Sequence, residues 1–259
     1  MTGHVSLMGV PVAAMTEPEV IDSLLAALRE RRGGWISTVN LDILRQCVRS
    51  SELRELVGEA QLVVADGMPL VWASWLQGSA LPARVPGSSL VWTLSAAAAE
   101  AGASVFLLGG NPGTAAATRE RLLEYNPELR VAGTLSPPFG FERSAEELER
   151  TVAKVREARP DIVFVALGFP KQEQLIQRLR GSLPSAWFMP CGISFSFVAG
   201  DVRRAPPWMQ RAGLEWAHRL MQEPQRLFRR YILLDFPFLV RLLLSSLATR
   251  MAASRASTS

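Results

Sequence analysis

Asp66 is the residue in this chain best placed to do chemistry. It ends the apolar run Val63-Val64-Ala65 and is followed by Gly67, Met68 and Pro69. A carboxylate at the end of a buried strand can serve as a general base or as a metal ligand. It can equally cap a turn, and the residue types alone leave these roles open. Gly67 permits a sharp turn with close backbone approach, and Pro69 can open the next helix. A second apolar run, Trp35–Val39, passes through Ser37 and Thr38 into Asn40. Thr38 and Asn40 offer hydrogen-bonding side chains at a pocket floor, although Asn40 in that position is also a good helix cap.

Two further features could hold phosphate. Phe106-Leu107-Leu108 runs into Gly109-Gly110-Asn111-Pro112-Gly113 and then an alanine-rich helical stretch. A strand, a glycine-rich turn and a helix N-terminus can bind an anion such as a diphosphate through backbone N–H groups. The turn is neither a P-loop nor GxGxxG, and a plain strand-to-helix turn explains it as well. Later in the chain Arg203, Arg204, Arg211, Arg219, Arg226, Arg229 and Arg230 cluster with Trp208, Trp216 and Phe228. Arginine forks bind phosphates bidentately; a solvated helical face with inward tryptophans is the plainer alternative. Lys171 and Gln172 open a helix after Leu167-Gly168-Phe169-Pro170. A cation is disfavoured at a helix N-terminus, and that local conflict points to ligand contact.

Such residues need elements to position them. Trp35–Val39, Gln61–Ala65, Ser104–Leu108, Arg130–Leu135, Asp161–Leu167 and Ala186–Pro190 read as strands. Several are apolar without alternation, as strands buried on both faces are. Amphipathic helices fall between them. Thr16 to Glu19 forms a capping box before a helix to Arg32, and Ser144 to Glu147 repeats it before a helix to Arg159. The predicted fold class is therefore α/β, a Rossmann-like, mostly parallel sheet sandwiched by helices, with ligands at the carboxyl ends of the strands.

After Gly200 the strand-like runs stop. We expect an α/β body over residues 1–200 and a basic helical appendage over 201–259. Of 28 basic and 24 acidic residues, the appendage holds ten arginines and four acids, a net of +6, which leaves the body at −2. A basic appendage on a near-neutral body implies an anionic partner. The tail Ile232–Leu244 is very apolar but is broken by Asp235, Pro237 and Arg241. No spanning helix is expected; the tail should lie on an anionic membrane surface, dock on the body, or pair subunits into a homo-oligomer. Two cysteines make no disulfide framework and the N-terminus has no signal-peptide pattern, so a cytosolic setting is the expectation.

In this order the motifs resemble the WecG/TagA/CpsF family of glycosyltransferases. RAPPWMQRAGLEW followed by RLMQEPQRLFRRY carries the likeness most specifically, and ADGMPLVW and GFPKQEQ support it. The resemblance implies an inverting, metal-independent enzyme with no cofactor. It would move N-acetylmannosamine or its uronic acid from a UDP-sugar to a polyprenyl-diphosphate-linked acceptor at the inner face of the cell membrane. It makes Asp66 the base, Thr38 and Asn40 sugar-site residues, Arg84 a contact to diphosphate or acceptor, and Gln172 a substrate contact. The C-terminal arginines, Arg203, Arg204, Arg211 and Arg219 among them, become an appendage closing over the site. Ser89 and Ser196 stand where the family often has Asp, which bears on sugar or acceptor preference. Alternatives are transfer of glucose or another hexose, and a non-catalytic nucleotide- or nucleic-acid-binding module. No RNP, helix-turn-helix or zinc pattern supports nucleic acid, and a dinucleotide oxidoreductase would need the missing GxGxxG.

Overall fold

The computed structural model describes residues 3–256. The chain begins with a hairpin, β1 (His4–Leu7) and β2 (Val10–Ala13), then α1 (Glu17–Arg29). The main sheet and its connections follow: β3 (Gly34–Val39), α2 (Leu41–Arg49), α3 (Ser51–Gly58), β4 (Leu62–Ala65), α4 (Met68–Gln77) and α5 (Gly87–Glu100). The chain continues through β5 (Ser104–Gly109), α6 (Thr114–Tyr125), β6 (Arg130–Leu135), α7 (Ala145–Ala158), β7 (Ile162–Ala166), α8 (Lys171–Ser182), β8 (Trp187–Pro190) and α9 (Ser194–Ala199). Beyond it the elements among the described residues are all helical: α10 (Pro207–Arg211), α11 (Glu215–Gln222), α12 (Pro224–Phe228), a π-helical stretch Arg229–Asp235, and α13 (Phe236–Ala256).

The six strands expected from the sequence form one sheet in the order β4-β3-β8-β7-β5-β6, and its pairs are parallel. This is a doubly wound α/β sheet, but not in the 3-2-1-4-5-6 order of the dinucleotide fold. Residues alternate between two cores, as the strand period of two requires. In β7, Ile162, Phe164 and Ala166 face the core shared with α1, α5 and α9. Val163 and Val165 face the other, with Val155 of α7 and Ile176 of α8. The caps are made: the Glu19 carboxylate accepts from the Thr16 N–H at 2.7 Å, and Ser144 Oγ accepts from the Glu147 N–H at 3.3 Å.

The hairpin β1–β2 is the element the sequence did not announce. It pairs antiparallel, and its Val5, Leu7, Val10 and Val12 join a third core with Val39, Val63, Leu70 and, from α13, Phe238 and Leu242. The apolar tail thus docks one face on the body, against α4. Its other face is exposed. The helical run Pro224–Arg255 has a stretch of mean hydropathy 1.7, long and apolar enough to cross a membrane by length and composition, contrary to the expectation that no such helix exists. Asp235, one of the expected interruptions, is 5% exposed and ion-paired rather than a break in the helix.

Candidate functional site

β4 delivers Asp66 to the carboxyl edge of the sheet. The Asp66 N–H donates to the Val39 carbonyl at 2.8 Å, which continues the β3–β4 ladder by one residue. Gly67 then turns the chain at φ +124°, a conformation side chains rarely adopt, and Met68 begins α4 with Pro69 in its first turn. The next loop is tied back to the same strand, the Val85 N–H donating to the Ala65 carbonyl at 2.7 Å. That bond brings Arg84 to the site.

The electrostatics are set by burial and by arginines from both parts of the chain. The Asp66 carboxyl is pushed up to about 6, chiefly by burial and then by Glu215, while Arg84, Arg204 and Arg219 pull it down. Glu215, first residue of α11, bridges two of these arginines. Its Oε2 accepts from Arg84 Nη1 at 3.2 Å and its Oε1 from Arg204 Nε at 3.3 Å. Arg204 Nη2 also donates to Ser89 Oγ at 3.1 Å, in the first turn of α5. Arg219 lies 5.8 Å from the Phe197 ring, and its Nε is buried with no hydrogen-bond partner. Body and appendage therefore meet over Asp66.

Other expected site residues take more structural positions. Thr38, on β3, is 7% exposed. Its Oγ1 donates to the Pro190 carbonyl at 3.5 Å, so it spans β3 and β8. Asn40 caps α2, its Oδ1 accepting from the Ile43 N–H at 3.1 Å; this leaves Nδ2 as the group with which it would meet a ligand. Gln172 is buried. Its Oε1 accepts from both the Gly168 and Gly192 N–H groups at 3.1 Å, and its Nε2 donates to Glu173 Oε1 at 3.0 Å. It staples the turns after β7 and β8. Lys171 pairs with Glu142 and lies 5.7 Å from the Phe139 ring, so the charge conflict at the start of α8 is answered within the protein.

The glycine turn is close-packed. A Cβ on Gly109 would fall 2.4 Å from the Ala166 carbonyl oxygen, and the Gly110 N–H donates to that same oxygen at 2.8 Å. The Thr114 N–H donates to the Asn111 carbonyl, and Thr114 Oγ1 donates to Asp201 at 3.0 Å. Two of the turn's N–H groups are thus used internally; Asn111, Pro112 and Gly113 are exposed. The turn follows β5, four strand positions from β4, roughly 19 Å at ordinary strand spacing. Asp201, bonded to Thr114 Oγ1, lies three residues before Arg204, so the appendage links the helix after the turn to the Arg84 loop. Of the remaining arginines, Arg203 is exposed, with its backbone held by Gln222. The side chain of Arg211 lies outside the described residues.

Three features escaped sequence reasoning. Glu215 lies 131 residues from Arg84, and no local pattern joins them. Glu173 is 1% exposed and its carboxyl is pushed up to about 7 by burial. A four-charge cluster ties the π-helical stretch to α2: Arg45 pairs with Asp42 and with Asp235, and Arg230 reaches both acids at 3.2 and 3.6 Å. Among the described residues there is no group of three or more His, Cys, Asp or Glu arranged to hold a metal ion.

Comparison with known proteins identifies the family. The model of the glycosyl transferase WecG/TagA/CpsF family matches residues 5–252. The N-acetylglucosaminyldiphosphoundecaprenol N-acetyl-beta-D-mannosaminyltransferase of Bacillus subtilis (strain 168) is 30% identical over 197 residues, 76% of this chain and 75% of that protein. With the likeness spanning both the sheet and the arginine-rich helices, the chain is a glycosyltransferase and belongs to the WecG/TagA/CpsF family.

Proposed function

We propose that this enzyme transfers N-acetylmannosamine, or its uronic acid, from a UDP-sugar to a polyprenyl-diphosphate-linked saccharide in cell-surface polysaccharide synthesis. The transfer inverts the anomeric centre and needs no metal ion. The observation that carries the reading is that Arg84 and Arg204, joined through Glu215, are tied by the Val85–Ala65 bond to the strand that ends at Asp66. The acceptor hydroxyl oxygen attacks the anomeric carbon from the face opposite the diphosphate. The bond from that carbon to the phosphate oxygen breaks, and UDP leaves with the electron pair. The hydroxyl proton passes to Asp66, whose raised carboxyl is a better base than an exposed aspartate. Negative charge grows on the departing diphosphate, and the guanidinium groups stand where that charge is stabilised without a metal. The relative's activity supports the choice of sugar and acceptor.

The acceptor's lipid calls for a membrane surface. Leu233, Phe236, Val240, Leu244, Leu247 and Met251 are exposed, at the three- and four-residue spacing of a single helix face. Trp208, Trp216 and Phe228 are exposed nearby in sequence. In this reading the enzyme sits peripherally on the cytoplasmic leaflet, its arginines on anionic headgroups. The test is transfer from UDP-N-acetylmannosamine to a short-chain polyprenyl-diphosphate N-acetylglucosamine in the presence of chelator. A product of β configuration by NMR is expected. No transfer, or transfer only after a divalent cation is restored, contradicts the proposal.

A further inference from the structure

Glu215 has no part in the reaction just described, yet it occupies the centre of the arginine cluster. Its two oxygens take one N–H from Arg84 and one from Arg204. Arg84 belongs to the loop between α4 and α5, Arg204 to the segment between α9 and α10. The Glu215 side chain is only 20% exposed. Carboxylate and phosphate present the same acceptor geometry to a guanidinium fork. Arg219 adds a third guanidinium to the field at Asp66 and holds a buried Nε with no partner. Arg219 also lies 4.0 Å from Glu223, so the cluster is near balance as it stands; what it keeps in reserve is the buried Arg219 Nε donor and the two guanidinium groups that share the single carboxylate of Glu215.

We propose that Glu215 is a resident carboxylate occupying the guanidinium groups that the donor's diphosphate takes, and that the diphosphate displaces it on binding. This rests on the reading of the donor as a nucleoside diphosphate sugar. The exchange sets a threshold for entry. A singly charged anion competes poorly against a held carboxylate, whereas a diphosphate brings more charge and more acceptor oxygens to the same arginines. The displaced carboxylate is not stranded, because it remains in the first turn of α11 where the helix dipole favours it. Arg84 and Arg204 then bridge body and appendage through the ligand rather than through Glu215.

The experiment is calorimetric titration of the full chain with inorganic pyrophosphate and, separately, with UDP, for wild type and Glu215→Gln, with circular dichroism to verify folding. Both ligands should bind E215Q roughly tenfold tighter, the size expected for removing one like charge from a partly screened site. Unchanged or weaker binding would make Glu215 a structural tie and overturn the proposal. Glu215→Asp, which keeps the charge but shortens its reach, decides the question if E215Q does not fold: tighter pyrophosphate binding supports displacement, and equal or weaker binding refutes it. If pyrophosphate tightens in E215Q while UDP binds neither protein better than pyrophosphate does, the nucleotide donor is wrong and the displaced carboxylate stands.

Discussion

Asp66 and Glu173 hold their protons more tightly in the folded protein than an unfolded chain would. Burial is the first cause in each case, raising Asp66 from 3.8 to about 6 and Glu173 from 4.5 to about 7. A carboxyl raised by folding favours the folded state below its unfolded value, and that contribution is lost as pH rises through the folded value. Stability should therefore fall between about pH 4 and pH 7, by about 1–3 kcal/mol for each group. Glu173→Gln removes the cost of the buried charge and keeps an acceptor for Gln172, so its melting temperature at pH 8 should exceed wild type by about 2–4 °C or more. Equal melting at pH 8 would show that Glu173 is uncharged or solvated there. At this scale the sequence was informative where function follows chain position. Asp66 at a strand end and Asn40 as a cap could be read locally. Glu215 could not, because its partners are brought in by the fold; Gln172 could be flagged, but its two glycine N–H partners come from loops that only the sheet brings together.

The π-helical stretch and α13 are held to the body by two kinds of contact. One is the buried cluster of Arg45, Asp42, Asp235 and Arg230; the other is Phe238 and Leu242 packed into the third core. Removing one member of a buried ion cluster leaves its partners uncompensated. Arg45→Ala should destabilise the protein by about 3–5 kcal/mol in urea unfolding. Hydrogen exchange should show the loss of protection concentrated over residues 229–256. Uniform loss across the sheet would mean that the cluster serves α2 rather than the appendage. Four of the six sheet strands were legible as unbroken apolar runs, while β3 carries Ser37 and Thr38 and β6 carries Gly133 and Thr134. The hairpin was not: its strands have four residues each, too short for a period to declare itself. The tail carried two messages in one composition, since its inner face docks and its outer face does not, and hydropathy averages the two.

Across the whole molecule, the charge divides into a body of −2 and an appendage of +6, and the fold lays that appendage over Asp66 rather than letting it trail. An apolar stripe along α13 faces away from the body, so a charge placed there tests membrane docking without opening the core. Leu244→Asp combined with Leu247→Asp should abolish co-sedimentation with anionic liposomes while leaving the melting temperature within about 2 °C, since exposed substitutions cost little. Undiminished co-sedimentation would remove this face from the account. The proposed mechanism puts proton transfer at the end of β4, and the glycine turn follows β5, four positions away in the sheet. The measurement that bears most directly on the account is the pH dependence of kcat/KM for sugar transfer by wild type and Asp66→Asn, with UDP binding followed in parallel. We expect a wild-type acid limb near pH 6, a fall of about 10² or more in D66N with that limb gone, and UDP affinity retained; wild-type turnover in D66N would contradict the mechanism.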